Sequence, residues 1–120
     1  MTATPLPDAD VLIYGATAAG VMAAVAAAEE GAATVLVADG RHVGGMVSGG
    51  LGKTDIERGE RIIGGLAARF FAAVGAHYGE RAAYRFEPSV AERTFRQLLD
   101  AAGVTLISER PLDLREAASL

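Results

Sequence analysis

The stretch Asp10-Val11-Leu12-Ile13-Tyr14-Gly15-Ala16-Thr17-Ala18-Ala19-Gly20 decides the reading of this chain. An alanine-rich run then leads from it to Thr34-Val35-Leu36-Val37-Ala38-Asp39. An apolar, β-prone run, a glycine turn, a helix, a second apolar run and a closing acid follow one another in the order of a dinucleotide-binding βαβ unit. Each part has a physical task. Gly15 lets the chain turn sharply out of the first strand, over 10–14. Gly20 lets the helix, expected from Ala18 to Glu30 with Gly31 as its stop, lie close to the sheet. The amides that open a helix have no intrahelical acceptor and carry partial positive charge, so a pyrophosphate sits well over Gly15-Ala16-Thr17-Ala18-Ala19-Gly20. Asp39 can accept hydrogen bonds from both ribose hydroxyls.

One position departs from the fingerprint. Its middle glycine, which permits close approach of backbone to the pyrophosphate, is Thr17 here. A β-branched side chain either pushes the phosphates outward or offers them its hydroxyl. The alternative to a nucleotide site is a βαβ unit that binds nothing.

With 120 residues the chain is expected to form one domain or part of one, and at 51% hydrophobic it can fill a core. A net charge of −4 argues against a general nucleic-acid or anionic-membrane surface. There is no cysteine, which excludes disulfides, thiolate zinc sites and cysteinyl flavin attachment and fits a reducing, cytoplasmic setting. With two histidines and no HExxH or EF-hand spacing, no metal site is expected. The N-terminal residues have no basic flank ahead of an apolar core, so no secretory signal is read there. Val11 to Ala28 is uncharged, but Gly15, Thr17 and Gly20 interrupt it and it is mostly alanine, so it is not read as a membrane span.

Outward from the βαβ unit, residues 1–9, with Pro5 and Pro7, read as a flexible lead, and 10–120 as a partial Rossmann-like domain. Gly40 to Gly52 holds six glycines in thirteen residues, which argues against a regular packed element and for a functional loop. A second helix is expected over Glu60 to Tyr78, with Ile62, Leu66, Phe70, Val74 and Tyr78 on its inner stripe, Arg61 and Arg69 outward, and Gly64-Gly65 as a candidate kink. Tyr84-Arg85-Phe86 reads as a short strand. Ser89 and Glu92 have capping-box spacing for a third helix over Val90 to Ala102, stopped by Gly103. Val104 to Ser108 reads as the third strand. The expected fold is a three-layer α/β unit with a parallel sheet, Val35 to Ala38 lying between the strands of Val11 and Val104.

Four residues separate Asp39 from Gly44-Gly45, which opens the loop Gly44-Gly45-Met46-Val47-Ser48-Gly49-Gly50-Leu51-Gly52. An acid followed at that spacing by a double glycine resembles the flavoproteins that bind FAD through a βαβ unit. The glycine turn with threonine at its middle position, together with this loop, resembles the FAD-dependent oxidoreductase family. Gly64-Gly65, His77-Tyr78-Gly79 and Glu87-Pro88 extend the resemblance over roughly 10–110. The resemblance implies FAD as cofactor, with its ADP part held by Gly15 to Gly20, Asp39, Gly40, Arg41, Gly44, Gly45 and Met46, and a small-molecule substrate in the full-length enzyme. Members of the family have several hundred residues, so the chain reads as the N-terminal part of a longer enzyme or as a truncated product. In that case the uncovered sheet edge is a route to self-association.

No residue is singled out as catalytic. His42 is either a general base or flavin attachment point or a plain loop histidine; His77 sits at a helix end; Arg41 either pairs with a phosphate or is solvated. Lys53-Thr54-Asp55 specifies no acid or base, and Ser48 lies outside a GxSxG frame. Two function classes remain: the FAD-binding portion of a redox enzyme, or a non-catalytic dinucleotide-binding module.

Overall fold

The structure is a computed structural model, and it describes residues 4–56 and 58–117. The lead at 1–9 and the tail at 109–120 both run partly outside those residues. Thr4 to Ala9 form no helix or strand.

The elements run β1 (Val11–Tyr14), α1 (Ala18–Glu29), β2 (Thr34–Val37), α2 (Gly65–His77), α3 (Pro88–Ala102), β3 (Thr105–Ile107) and a short α4 (Leu114–Ala117). The sheet has the order β1-β2-β3, with Leu12 opposite Val35 and Leu36 opposite Leu106, all parallel. The expected central position of the Val35 strand is therefore observed. Gly20 packs where a Cβ would overlap the Gly15 carbonyl oxygen. The nearest neighbour of this glycine is thus the end of β1 itself, and the helix can leave the turn in one step.

The expectation of three layers is corrected. Val21 and Val25 of α1, Phe70 and Val74 of α2, and Phe95 and Leu99 of α3 join one buried cluster with Leu36 and Ala38, against which Ile13 and Leu106 also pack. On the other face Leu12 is 50% exposed and Tyr14 45%. The cause is topological. A strand order that advances in one direction, with the right-handed crossovers that parallel strands almost always take, puts every crossover on one side. The full covering expected for β1 is thus missing on the Leu12–Tyr14 face.

Helix α2 is shorter than its apolar period implied. Glu60–Ile62 is a separate 3₁₀ turn, Ile63 and Gly64 are extended, and Gly65 has φ 57°, so the glycine pair breaks the helix outright. Ile62, expected inside, is 90% exposed. Gly75 is a close-approach site: a Cβ there would meet the backbone nitrogen of Ala82 at 2.7 Å. Arg69 does face outward, where its guanidinium grips the Glu29 carboxylate of α1, the second bond at 2.9 Å. That pairing offsets the unfavourable place of an acid at a helix C-terminus. Tyr84-Arg85-Phe86 joins no sheet; Arg85 pairs with Lys53 in an isolated antiparallel bridge.

The capping box is also corrected. Pro88 takes the first position of α3, where its fixed φ suits a helix, so Glu87 becomes the N-cap and Ser89 lies inside. The Tyr78 hydroxyl accepts from the Glu87 amide at 2.9 Å, and no side chain of α3's own first turn caps it. The helix buries Val90, Ala91, Thr94, Phe95 and Leu99, and stops as expected at Gly103, in the left-handed region. Phe95 stacks on Phe70 with centroids 4.2 Å apart, joining α2 to α3.

Two outcomes follow. Tyr78→Phe should cost about 1 kcal/mol, one net hydrogen bond, and Ser89→Ala less than about 0.5 kcal/mol. Urea midpoints measure both, and the opposite ranking would restore the capping box. The hydrogen bonds from Arg69 hold the Glu29 carboxyl below its ordinary 4.5. A carboxyl lowered in the fold stabilises above its unfolded value, and that contribution is lost as pH falls through the folded one. Glu29→Gln should therefore lower the melting temperature at neutral pH and leave a flatter acid limb in a pH series.

Candidate functional site

The glycine turn, the acid and the double glycine meet at the C-terminal ends of β1 and β2, the end at which open parallel sheets bind ligands. The Gly15 amide donates to the Val37 carbonyl at 2.8 Å, closing the turn onto β2. Thr17 is the N-cap of α1, in extended conformation at φ −69° and ψ 171°, so a β-branched residue is unstrained there. Its hydroxyl oxygen accepts from the Gly20 amide at 3.1 Å. The amides before Gly20 have no acceptor inside the helix.

Asp39 stands two residues past the end of β2 and is exposed, with Oδ1 accepting from the Gly40 amide at 2.9 Å. Gly40 and Arg41 are exposed as well, and Arg41 lines an open cleft of about 400 Å³ with His42, Ser89, Glu92, Arg93 and Arg96. Val43 is then fully buried and brings the chain back to the turn. The Gly44 amide donates to the Ala16 carbonyl at 2.7 Å, and Gly44 pairs with Thr17 as in a parallel ladder. Gly44 has φ 106°, and a Cβ there would stand 2.6 Å from the Phe95 ring. Gly45 lies on Thr17, and Met46 next to it is 81% exposed.

Gly15 to Gly20 and Gly44-Gly45 touch, with Asp39 near the adjacent strand end, while Arg41 turns to the cleft along α3. The loop after them is more ordered than its glycine content implied. Val47–Leu51 winds into one wide turn broken by Gly50 at φ 136°, and packs on α3. The Ser48 hydroxyl donates to the Val43 carbonyl. The Thr54 amide donates to the Tyr84 carbonyl at 3.0 Å, and the Phe86 amide to the Gly52 carbonyl at 2.8 Å.

Sequence reasoning missed Glu92. Its carboxylate accepts from the Val43 amide at 3.1 Å and meets His42 Nδ1 at 3.1 Å and an Arg96 nitrogen at 3.2 Å. The same Arg96 nitrogen donates to the Arg41 carbonyl at 2.7 Å. Partial burial pushes the Glu92 carboxyl up, but the Val43 amide, His42 and Arg96 together outweigh this and hold it below the usual carboxylate range. The local pattern pointed to Ser89, three residues away; the true partner is some fifty residues away, and no local spacing encodes that.

His42 is thus a partner of Glu92, and His77 is exposed with its ring edge-on to Tyr78. Among the described residues no cluster of His, Asp and Glu is arranged for a metal ion, and no helix is long and apolar enough to cross a membrane.

The arrangement fits an adenine dinucleotide by its own geometry. A glycine turn too tight for a Cβ lies at a helix N-terminus, a second glycine pair closes on it, and a free carboxylate stands at the neighbouring strand end. The family model described as FAD dependent oxidoreductase matches residues 10–115. Among solved structures the fold is similar to 2-naphthoyl-CoA reductase in complex with 2-naphthoyl-CoA, at TM-score 0.51 and 15% identity over 94% of this chain and 13% of that one. It is also similar to THI4 of Thermovibrio ammonificans, at TM-score 0.53 and 19% identity over 83% of this chain and 38% of that one. No curated protein matches in sequence. The chain thus spans only a minor part of either structural neighbour, and it belongs to the FAD dependent oxidoreductase family, whose cofactor is FAD.

Proposed function

We propose that this chain holds the ADP part of FAD, residues 10–120 acting as one cofactor-binding unit of a larger oxidoreductase. The observation that carries this is the docking of Gly44-Gly45 on Ala16-Thr17, which brings both glycine motifs and the Asp39 strand end into one site. Gly15 to Gly20 would lie under the pyrophosphate, where helix-opening amides and the Thr17 hydroxyl donate to phosphate oxygens. Asp39 would accept from the adenosine ribose, with Gly40 and Arg41 beside it. Gly44, Gly45 and Met46 would follow the cofactor toward its flavin end. FAD supplies redox chemistry when bound, and the task of these residues is to hold and orient it.

Met46 and Leu51, on the loop where the flavin end would lie, are both exposed to solvent. Redox turnover needs a dry pocket and a substrate held against the ring. We therefore assign the substrate site to other parts of the enzyme, in keeping with the small share of the structural neighbours that the chain spans. The free edge of β1 and the exposed Leu12 and Tyr14 support self-association of the chain by itself. The lack of cysteine supports a cytoplasmic setting.

Titration of the purified chain with FAD and with NAD, followed by calorimetry, should show the tighter binding for FAD. Asp39→Ala should weaken FAD by about ten- to a hundredfold, roughly 1.5–3 kcal/mol for a charge-assisted pair of hydrogen bonds. Unchanged FAD affinity in that variant, or a preference for NAD in the parent, would overturn the assignment. With FAD and an excess of NADH, anaerobic bleaching at 450 nm should proceed no faster than for free FAD. Reduction at enzymatic rates would show that the chain builds a complete flavin pocket.

A further inference from the structure

We propose that Glu92, on α3, is a positioning residue for the cofactor loop, setting where the double glycine meets the pyrophosphate turn; this rests on the FAD reading above. The loop from Asp39 to Gly45 must do two things at once. It carries the ribose acid at one end and docks on the turn at the other. Between them, Gly40, Arg41 and His42 are exposed, and the Gly40 carbonyl accepts from the Glu109 amide at 2.9 Å. Glu92 fixes this span from outside. Its carboxylate accepts from the Val43 amide, the residue directly before Gly44, and meets His42 Nδ1. Arg96, one turn further along α3, lies against the same carboxylate and donates to the Arg41 carbonyl. Two side chains of one helix thus hold three successive residues of the loop.

The arrangement is directional. The Gly44 amide is committed to Ala16 and the Val43 amide to Glu92, so the two successive amides are fixed by α1's turn and by α3. Loss of the Glu92 carboxylate frees the Val43 amide and removes the contacts to His42 and Arg96, while the Gly44 amide keeps its bond to Ala16. The rest of the α3 interface, with Phe95 on Phe70 and on Gly44, stays in place. Glu92 itself touches no glycine of the site. It acts through Val43, which distinguishes it from a cofactor contact.

The test compares Glu92→Ala with Glu92→Gln in the 120-residue chain. The glutamine keeps an oxygen for the Val43 amide; the alanine keeps none. Amide hydrogen exchange at Val43 to Gly45 should rise at least tenfold in Glu92→Ala and much less in Glu92→Gln, with far-ultraviolet circular dichroism unchanged in both. ADP and FAD should bind about tenfold more weakly to Glu92→Ala and within about threefold of the parent to Glu92→Gln. Glu29→Gln, which removes the ion pair of the other helix pair, is the control: it lowers stability and should leave ADP affinity as it was. Faster exchange with unchanged affinity, or a Glu29→Gln variant that weakens ADP equally, would reduce Glu92 to a stability contact and overturn the inference. Unchanged exchange in Glu92→Ala would also overturn it. A parent that binds neither ADP nor FAD, with exchange at Val43 still dependent on Glu92, would sink the cofactor reading and the positioning role together while leaving the contact itself standing, so the two failures are told apart.

Discussion

The structure turns on the hydrogen bond from the Gly44 amide to the Ala16 carbonyl. There the glycine turn after β1 meets the loop after β2, and on both sides the approach depends on the absence of side chains. At Gly20 a Cβ would overlap the Gly15 carbonyl, and at Gly44 it would enter the Phe95 ring. Each glycine removes an atom from a contact that is otherwise backbone against backbone, or backbone against an aromatic core. The proposed cofactor site and the hydrophobic core therefore share a boundary. The ring that forbids a side chain at Gly44 is also the ring that stacks on Phe70 and joins α2 to α3.

The one-sided sheet follows from the same economy of chain. Both crossovers advance in one direction, so both lie on the face where Ile13, Leu36 and Leu106 point into the cluster. The fold exposes 8003 Å², against about 6,100 Å² for a compact monomer of 12.3 kDa. Part of that excess is the face of Leu12 and Tyr14, beside the cleft that Leu6, Val37 and Leu112 also line. In doubly wound folds the helices change face where the strand order reverses, on the outer side of the first strand. In this chain that side of β1 has no strand beside it among the described residues. The apolar face and the unpaired edge are thus two aspects of one topological fact.

How much of this was legible in the sequence divides by range. The βαβ unit, the central place of β2 and the meeting of turn, acid and double glycine were legible, because glycine spacing and apolar runs are local signals tied to backbone geometry. The run of Ile62, Leu66, Phe70 and Val74 kept a helical period across Gly64-Gly65, but the break at that glycine pair put Ile62 on a separate turn, outside the core. Gly40 to Gly52 looked structureless by composition, yet Val43 anchors it in the core and Gly52 and Thr54 bond to the segment before α3. Ser89 and Glu92 had the spacing of a capping box. Pro88 started the helix two residues early, and a long-range amide claimed the carboxylate. In the loop and at Glu92 the local pattern was real, and a distant backbone group or packing contact competed successfully for the same residues.

Thr17 shows how such competition can leave a site intact. In the fingerprint the middle residue is glycine, which offers only its backbone. In this chain the position is extended, so threonine fits without strain. A hydroxyl has one hydrogen to donate and two lone pairs to accept with. One lone pair takes the Gly20 amide, the side-chain cap that a helix start favours by about 1 kcal/mol over alanine. The hydrogen stays free for an acceptor outside the helix. On the proposed reading, a phosphate at this turn would lose one amide donor, that of Gly20, and gain one hydroxyl donor from the residue that took it. The count of donors is conserved while the helix gains a cap. The substitution therefore changes who donates, leaves the positive end of α1 in place, and needs no compensating change elsewhere in the turn.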